Sequence, residues 1–349
     1  MLLRKKKNIV GLDIGSSAVK LVELKQGKGG RYSLLHAGHA LLSPEAIVEG
    51  TVMDSSLVIE VAQRLIQEQG TKNPNFGVSL SGSTVAIRKI QVPAMSEAEL
   101  AESIHWEAEQ YLPFDVNTVN LDYVVLNSDA DTMDVLLVAA KKDRVADYTS
   151  IVAQLGKVPA LVDVDVFAVQ NAYEHNYGVP TDRVVALVNV GAHVMNLNIL
   201  AHGQSVAWRD IAFGGNNYTN AIQRELNLTR DQAEAVKSGE QLGDHTPQTI
   251  LGVLNGVSEE LSDHLQKTFE FFYTTSSYDH VDEIVLAGGA CQVLNLDNVL
   301  KERLNARVEV MNPFREIDFS ESQFPPEWLN RHAPAMTVAV GMALRTVGE

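Results

Sequence analysis

The chain has 349 residues, 28 Lys and Arg against 44 Asp and Glu for a formal net charge of −16, 45% hydrophobic residues and one cysteine, Cys291. This composition excludes a disordered or fibrous chain, an intramolecular disulfide and a cysteine-rich metal site, and its acidity argues against nucleic acid as a partner. The length allows two lobes with a large apolar core, and no stretch approaches the ~20 consecutive apolar residues of a membrane helix.

Basic residues cluster only at the start, Arg4-Lys5-Lys6-Lys7. The apolar run that follows is broken by Asp13, so the segment reads as a solvated terminus rather than a secretory signal; the expected location is cytoplasmic, with no direct membrane insertion. From Ile9 a β-branched apolar strand runs to Ile14, turns at Gly15-Ser16-Ser17 and returns with Val19, Leu21 and Val22. A third strand follows over 32–42, then a helix over 55–69 with Leu57, Val61, Leu65 and Ile66 at helical spacing, then a strand over 76–80.

The next block alternates as strand (85–92), helix (97–111), two strands (119–126 and 133–140), helix (142–155) and strand (158–164). That is the split βαβ order, read here as a subdomain inserted into the first lobe. Its first helix opens on a capping box, Ser96 with Glu99, and is stopped by Pro113. Half a chain length after the first hairpin the pattern recurs: Val185 to Val190, Gly191-Ala192, then a return strand with Val194, Leu197 and Ile199. Superposing Gly15 on Gly191 lays Asp13 on Asn189.

A third strand is expected near 205–211, helices over 217–226, 230–238 and 248–273, and a buried strand over 282–286 that runs into Ala287-Gly288-Gly289-Ala290. A helix over 296–304 and an apolar helix over 335–347 complete the reading. The expected division is a first-lobe core over 1–84, the inserted subdomain over 85–157 and a first-lobe return over 158–180. A second-lobe core over 181–226, a helical subdomain over 227–281 and a second-lobe return over 282–349 follow.

Two glycine turns facing each other across a cleft suit a triphosphate, because Gly15 and Gly191 admit close approach and small Ser16, Ser17 and Ala192 keep the loops open. Asp13 is placed to hold a water of a hydrated Mg²⁺, and Lys20 to neutralise phosphate charge. Gly288-Gly289 lies between a strand and a helix, where a flat base or ribose can approach the backbone. Gly214-Gly215 follows the third strand of the second lobe, and Glu234 and Lys237 lie one turn apart on one helical face. Neither a P-loop nor a G-x-G-x-x-G motif is present.

Together these hairpins and glycine pairs, in this order over nearly the whole chain, resemble the actin-like ATPase superfamily. The inserted block, the string Trp106-Glu107-Ala108-Glu109-Gln110-Tyr111-Leu112-Pro113-Phe114 and the segment Val119 to Tyr123 resemble, within it, the PilM family of type IV pilus assembly, related to the cell-division protein FtsA. The resemblance implies an α/β, actin-like (ribonuclease H-like) two-lobed fold with duplicated βββαβα cores. It implies ATP or ADP with Mg²⁺ between the lobes: Asp13, Gly15, Ser16, Ser17 and Lys20 on the first phosphate loop, Asn189, Gly191 and Ala192 on the second, Glu234 and Lys237 toward ribose and adenine, and Gly214, Gly215, Gly288 and Gly289 around the nucleoside. It further implies an adaptor that binds the cytoplasmic tail of an inner-membrane PilN-like protein in a groove between the first-lobe core and the inserted subdomain. Contacts with cytoplasmic pilus motor ATPases and self-association are additional expectations.

For that groove the helix ending near Phe114 is the candidate, with Ile104 and Tyr111 on one face and Glu107 and Glu109 able to meet a basic group. The alternatives on the same fold are a sugar or metabolite kinase, for which Asp163 and Asp165 are the nearest candidate bases, and an FtsA-like filament protein. The last residues, Arg345 to Glu349, show no amphipathic anchor. The superfamily usually carries an aspartate at the position of Asn189. An amide still bonds metal-bound water but cannot act as anion or base, so binding is expected to persist with little turnover. Loss of one such organiser costs about 3 kcal/mol, on the order of a hundredfold in rate. Asn189→Asp is therefore expected to raise phosphate release at least several-fold in a single-turnover assay, and an unchanged rate would contradict this.

Overall fold

The computed structural model describes residues 7–48 and 50–347. β1 (Lys7–Asn8) leads into β2 (Val10–Ile14), which turns through Gly15, Ser16 and Ser17 into the antiparallel β3 (Ala18–Gln26). β4 (Tyr32–Leu41) pairs with β3, and a short hairpin of β5 (Ile47–Val48) and β6 (Thr51–Val52) precedes α1 (Ser55–Gln69). α1 starts where the Asp54 side chain accepts the Leu57 N–H, and ends where Gly70 takes a left-handed φ of 70°. Its face of Val58, Val61, Ala62, Leu65 and Ile66 is buried on the sheet. β7 (Asn75–Leu80) then runs parallel to β2.

The inserted domain consists of β8 (Val85–Pro93), α2 (Glu97–Glu109), β9 (Val119–Ser128) and β10 (Thr132–Lys141), with strand order β8-β10-β9. Leu100, Ile104 and Ala108 of α2 pack with Ile90, Val92, Met133, Val135 and Leu137 to give it a core of its own. Here the expectation of a split βαβ unit is corrected. α3 (Lys142–Gln154) buries Tyr148, Ile151 and Val152 in the first-lobe core, and β11 (Val158–Val164) pairs in parallel with β7. The insertion is thus a βαββ unit ending near Lys141. Helical spacing shows that α3 has an apolar face, not which core covers it.

α4 (Asp165–Tyr177) leads to the second lobe: β12 (Val185–Val190), β13 (Met195–Ala201), β14 (Gln204–Ile211), α5 (Gly215–Leu226), α6 (Arg230–Lys237), α7 (Leu251–Thr275), β15 (Glu283–Ala287), α8 (Leu296–Leu304) and β16 (Arg307–Val310). The duplication is plain in the strand orders. The first-lobe sheet runs β11-β7-β2-β3-β4 and the second β16-β15-β12-β13-β14, the same path in each lobe.

The segment after β16 does not stay in the second lobe, which corrects the boundary expected over 282–349. β17 (Ile317–Asp318) adds to the edge of the first-lobe sheet beside β4. α9 (Pro326–His332), a 3-10 turn (Ala333–Met336) and α10 (Thr337–Ala343) follow. The terminal helix expected over 335–347 therefore ends at Ala343, and β18 (Thr346–Val347) pairs with β1.

α4 and α10 form a layer between the sheets. One apolar cluster joins Val22, Leu24 and Ala37 of the first lobe to Val185, Leu187 and Val285 of the second through Ala168, Val169, Ala339 and Val340. The layer is thin because glycines let backbone meet backbone: a Cβ on Gly11 would stand 2.0 Å from the Ala339 carbonyl oxygen, and one on Gly341 would stand 1.7 Å from that of Ala168. Neither neighbour is a flexible side chain. Gly341→Ala is expected to destabilise the fold by about 3 kcal/mol, as overpacking against rigid backbone does. Urea unfolding checks this, and a loss below about 1 kcal/mol would be incompatible with such a contact.

Candidate functional site

Between the lobes opens a cleft of about 580 Å³, lined from both sides by Asp13, Gly15, Ser16, Ser17 and Lys20 and by Asn189, Gly191, Ala192, Gly288 and Gly289. This volume falls in the range of small-molecule sites, roughly 300–1,000 Å³. The two loops are built alike. The Gly15 N–H donates to the Ala18 carbonyl at 3.0 Å, and the Gly191 N–H to the Val194 carbonyl at 3.0 Å. Those two N–H groups close the turns, and Ser16, Ser17 and Ala192 stand at the loop tips in the lining.

The Lys20 Nζ lies 3.1 Å from the Asp13 carboxylate, across neighbouring strands where the two residues are register partners. The expected metal-ordering acid and the expected phosphate cation thus neutralise each other. Gly288 has φ 87°, and a Cβ there would stand 2.4 Å from the Val190 carbonyl oxygen, so only glycine fits beside the second loop.

Four of the expected residues are absent from the lining and stand behind the second loop. The Gly215 N–H donates to the Gly191 carbonyl (2.9 Å) and the Asn216 N–H to the Ala192 carbonyl (2.8 Å), so Gly214 and Gly215 prop that loop from the start of α5. The Lys237 Nζ is 2.7 Å from Glu234 and donates to the Thr219 hydroxyl (2.8 Å) and the Gly215 carbonyl (3.2 Å). Thr219 also donates to Glu234. Burial lowers the Lys237 pKa, and the Glu234 charge opposes that. The pair clasps α6 to α5.

Ser81 and Gly82 of the lining carried no signal in the expected motifs, and Asp165 was expected only as a base for the kinase alternative. Asp165 opens α4 at the end of β11, and Ser81 and Gly82 follow β7, positions at the carboxyl ends of parallel strands where ligands collect in open α/β sheets. Asp165 is half-buried, its carboxyl being the enclosed part. The carboxyl pKa is pushed up to about 6 by this enclosure and then by the charge of Asp13, while the hydroxyls of Ser79 and Ser81 pull it back. Asp163, the other carboxylate considered as a base, lies 3.5 Å from Arg345 and is not in the lining. Arg88, Arg209, Trp208 and Asp210 complete the mouth.

The partner face requires a correction. Ile104 is 3% exposed inside the core of the inserted domain, so it cannot meet a partner. Glu107 is half-buried and Glu109 exposed; Tyr111 is 40% exposed, and its carbonyl accepts from Arg88 at 3.2 Å. The side chain overlooked here is Trp106, 77% exposed on α2. Its position one residue from the polar face of the helix gave it no distinction by periodicity. Among the described residues no helix is long and apolar enough to cross a membrane, and no group of three or more His, Cys, Asp or Glu is placed to hold a metal.

A family model described as "Type IV pilus assembly protein PilM" matches residues 11–347. The chain belongs to the PilM family. A PilM chain in a solved PilM-PilN type IV pilus biogenesis complex is 29% identical, with a TM-score of 0.87 over 98% of this chain and 99% of that one. The ethanolamine utilization protein EutJ from Carboxydothermus hydrogenoformans is 14% identical, with a TM-score of 0.62 over 97% of this chain and 89% of that one. MreB5 of Spiroplasma citri bound to ADP is 12% identical, with a TM-score of 0.51 over 96% and 94%. The fold of this PilM-family chain is that of the actin-like ATPases.

Asp165 generates a prediction. Its carboxyl, ordinarily near 3.8, is raised in the fold. Its ionisation therefore costs stability fully above pH 6, less as pH falls, and nothing below the unfolded value. Asp165→Asn is expected to stabilise the metal-free protein at pH 7.5 by up to about 3 kcal/mol, since each tenfold change in the acid's ionisation constant corresponds to about 1.4 kcal/mol, with the gain gone near pH 3. Thermal unfolding across this range checks it; equal stability of the two proteins at pH 7.5 would contradict the burial argument.

Proposed function

We propose that this PilM-family chain is a cytoplasmic, nucleotide-binding adaptor of type IV pilus assembly that holds the short cytoplasmic tail of an inner-membrane PilN-like protein. The observation that carries the reading is the match, along nearly the full length of both chains, to the PilM of a solved PilM-PilN complex. Mg-ATP or Mg-ADP is the ligand proposed for the cleft. Two glycine turns give it a polyanion cradle, and the Asp13 and Asp165 carboxylates suit a hydrated divalent cation that relieves their mutual repulsion. Mg²⁺ supplies neutralisation of phosphate charge when bound. Asp13 and Asp165 would face its waters, the tips at Ser16, Ser17 and Ala192 the phosphates, and Gly288 and Gly289 the nucleoside. Asn189 holds no charge there, which supports retention of the nucleotide over rapid turnover.

The tail is assigned to the side of the inserted domain that faces the first-lobe core and the end of α2. Trp106, Glu109 and Tyr111 are exposed at the end of α2 and offer an aromatic surface beside a carboxylate, a combination that suits a basic residue on an apolar peptide. Recruitment by that tail would bring the protein to the inner membrane without a span of its own. Motor ATPases and further copies of the chain are proposed as additional partners of the assembled complex.

Calorimetry with the full chain tests this. Mg-ATP is expected to bind with negligible phosphate release, and a synthetic PilN-like tail to bind with an affinity reduced about tenfold by Trp106→Ala or Glu109→Lys, the loss typical of one good interface contact. Failure to bind nucleotide would overturn the cleft assignment, and an unchanged tail affinity in both variants would move the tail to another face.

A further inference from the structure

A polar chain crosses the cleft from the second lobe to the first. The buried Asn189, on β12 before the second loop, donates from Nδ2 to Oδ1 of Asn196 on β13 at 3.0 Å. Asn196, also buried, donates from its own Nδ2 to Oδ1 of Asp210 on β14 at 2.7 Å. The other oxygen of Asp210 accepts the backbone N–H of Gly82 at 2.5 Å. Asn189, Asn196 and Asp210 belong to the second lobe, whereas Gly82 lies on the first-lobe turn between β7 and β8, at the root of the inserted domain. A second bond runs beside it, from Nε1 of Trp208 to the Ile87 carbonyl at 2.9 Å.

The chain has a direction. An amide side chain presents an NH2 group on one side and a carbonyl oxygen on the other, so while Asn196 turns its NH2 to Asp210 its oxygen faces position 189 and needs a donor there. An ionised aspartate at 189 has none to give. Asn196 would then have either to leave that carboxylate unserved or to turn its amide round and present oxygen to the Asp210 carboxylate. In both cases a buried acceptor faces an acceptor, which is costly where water is excluded.

We propose that Asn189 is a positioning residue: its amide sets the direction of a hydrogen-bond latch that seats Asp210 on the Gly82 N–H and so holds the root of the inserted domain against the second lobe. An amide in place of the usual carboxylate then has a use besides slowing hydrolysis. The consequence for the partner rests on the adaptor reading: a ligand that engages the Asn189 side chain changes the latch, and cleft occupancy thereby reaches the domain assigned to the tail. The latch itself requires neither ligand nor tail.

Hydrogen exchange on the full chain, without nucleotide or peptide, tests the latch. Asn189→Asp is expected to speed exchange of the Gly82 amide about tenfold or more, the effect of losing one charge-assisted hydrogen bond, while α7 amides exchange as before. The double variant Asn189→Asp, Asp210→Asn reverses the chain. Residue 210 then donates to Oδ1 of Asn196, Asn196 donates to the carboxylate at 189, and the remaining oxygen at 210 accepts from Gly82. Gly82 protection is expected to return to within about threefold of the parent. Unchanged exchange at Gly82 in the single variant, or no recovery in the double variant, would overturn the proposal. Because neither measurement involves nucleotide or tail, failure of the adaptor reading would leave both results standing.

Discussion

The contact on which the molecule depends is the backbone-to-backbone packing of α10. Gly11 and Gly341 remove the side chains that would separate β2 from α10 and α10 from α4, so one thin helical layer serves both sheets. The lobes therefore share a core, and the cleft is what remains open beyond it. Both phosphate-type loops sit at the ends of strands packed on that shared layer, β2 on one side and β12 on the other, so their separation is set by packing that involves neither loop.

The cleft lining carries the carboxylates Asp13, Asp165 and Asp210 and the cations Lys20, Arg88 and Arg209. Lys20 is spent on Asp13, while Asp165 and Asp210 are held by hydroxyl and amide partners, which soften their charge without cancelling it. Withdrawal of the carboxyls from water raises the pKa of both. A cation brought in with a polyanion would relieve the repulsion between Asp13 and Asp165.

Much of this was legible from the residues. The hairpins declared themselves because a β-branched run, a small turn and an alternating return strand recurred with Asp13 over Asn189, and α1 followed from Leu57, Val61, Leu65 and Ile66 at helical spacing. What could not be read was what covers each apolar face. α3 and the segment after β16 had the right periodicity and the wrong assignment, since helical spacing is the same whichever core receives it. Ile104 belonged to a stripe that proved to be core. Glu234 and Lys237 looked like a ribose-binding pair, but their partner Thr219 lies on another helix, and only the fold brings the three together. Asp210 and Gly82 are 128 residues apart, beyond any local rule.

The strands by which the inserted domain enters and leaves the first lobe are neighbours: Val85 is the register partner of Ala140. The second lobe has nothing at the equivalent place, β15 being followed by a 3-10 turn and α8. The module has an apolar core of its own, and besides this antiparallel ribbon it meets the second lobe where Trp208 donates to the Ile87 carbonyl. The backbone thus shows one strand path twice, with an insertion after β7 in the first copy.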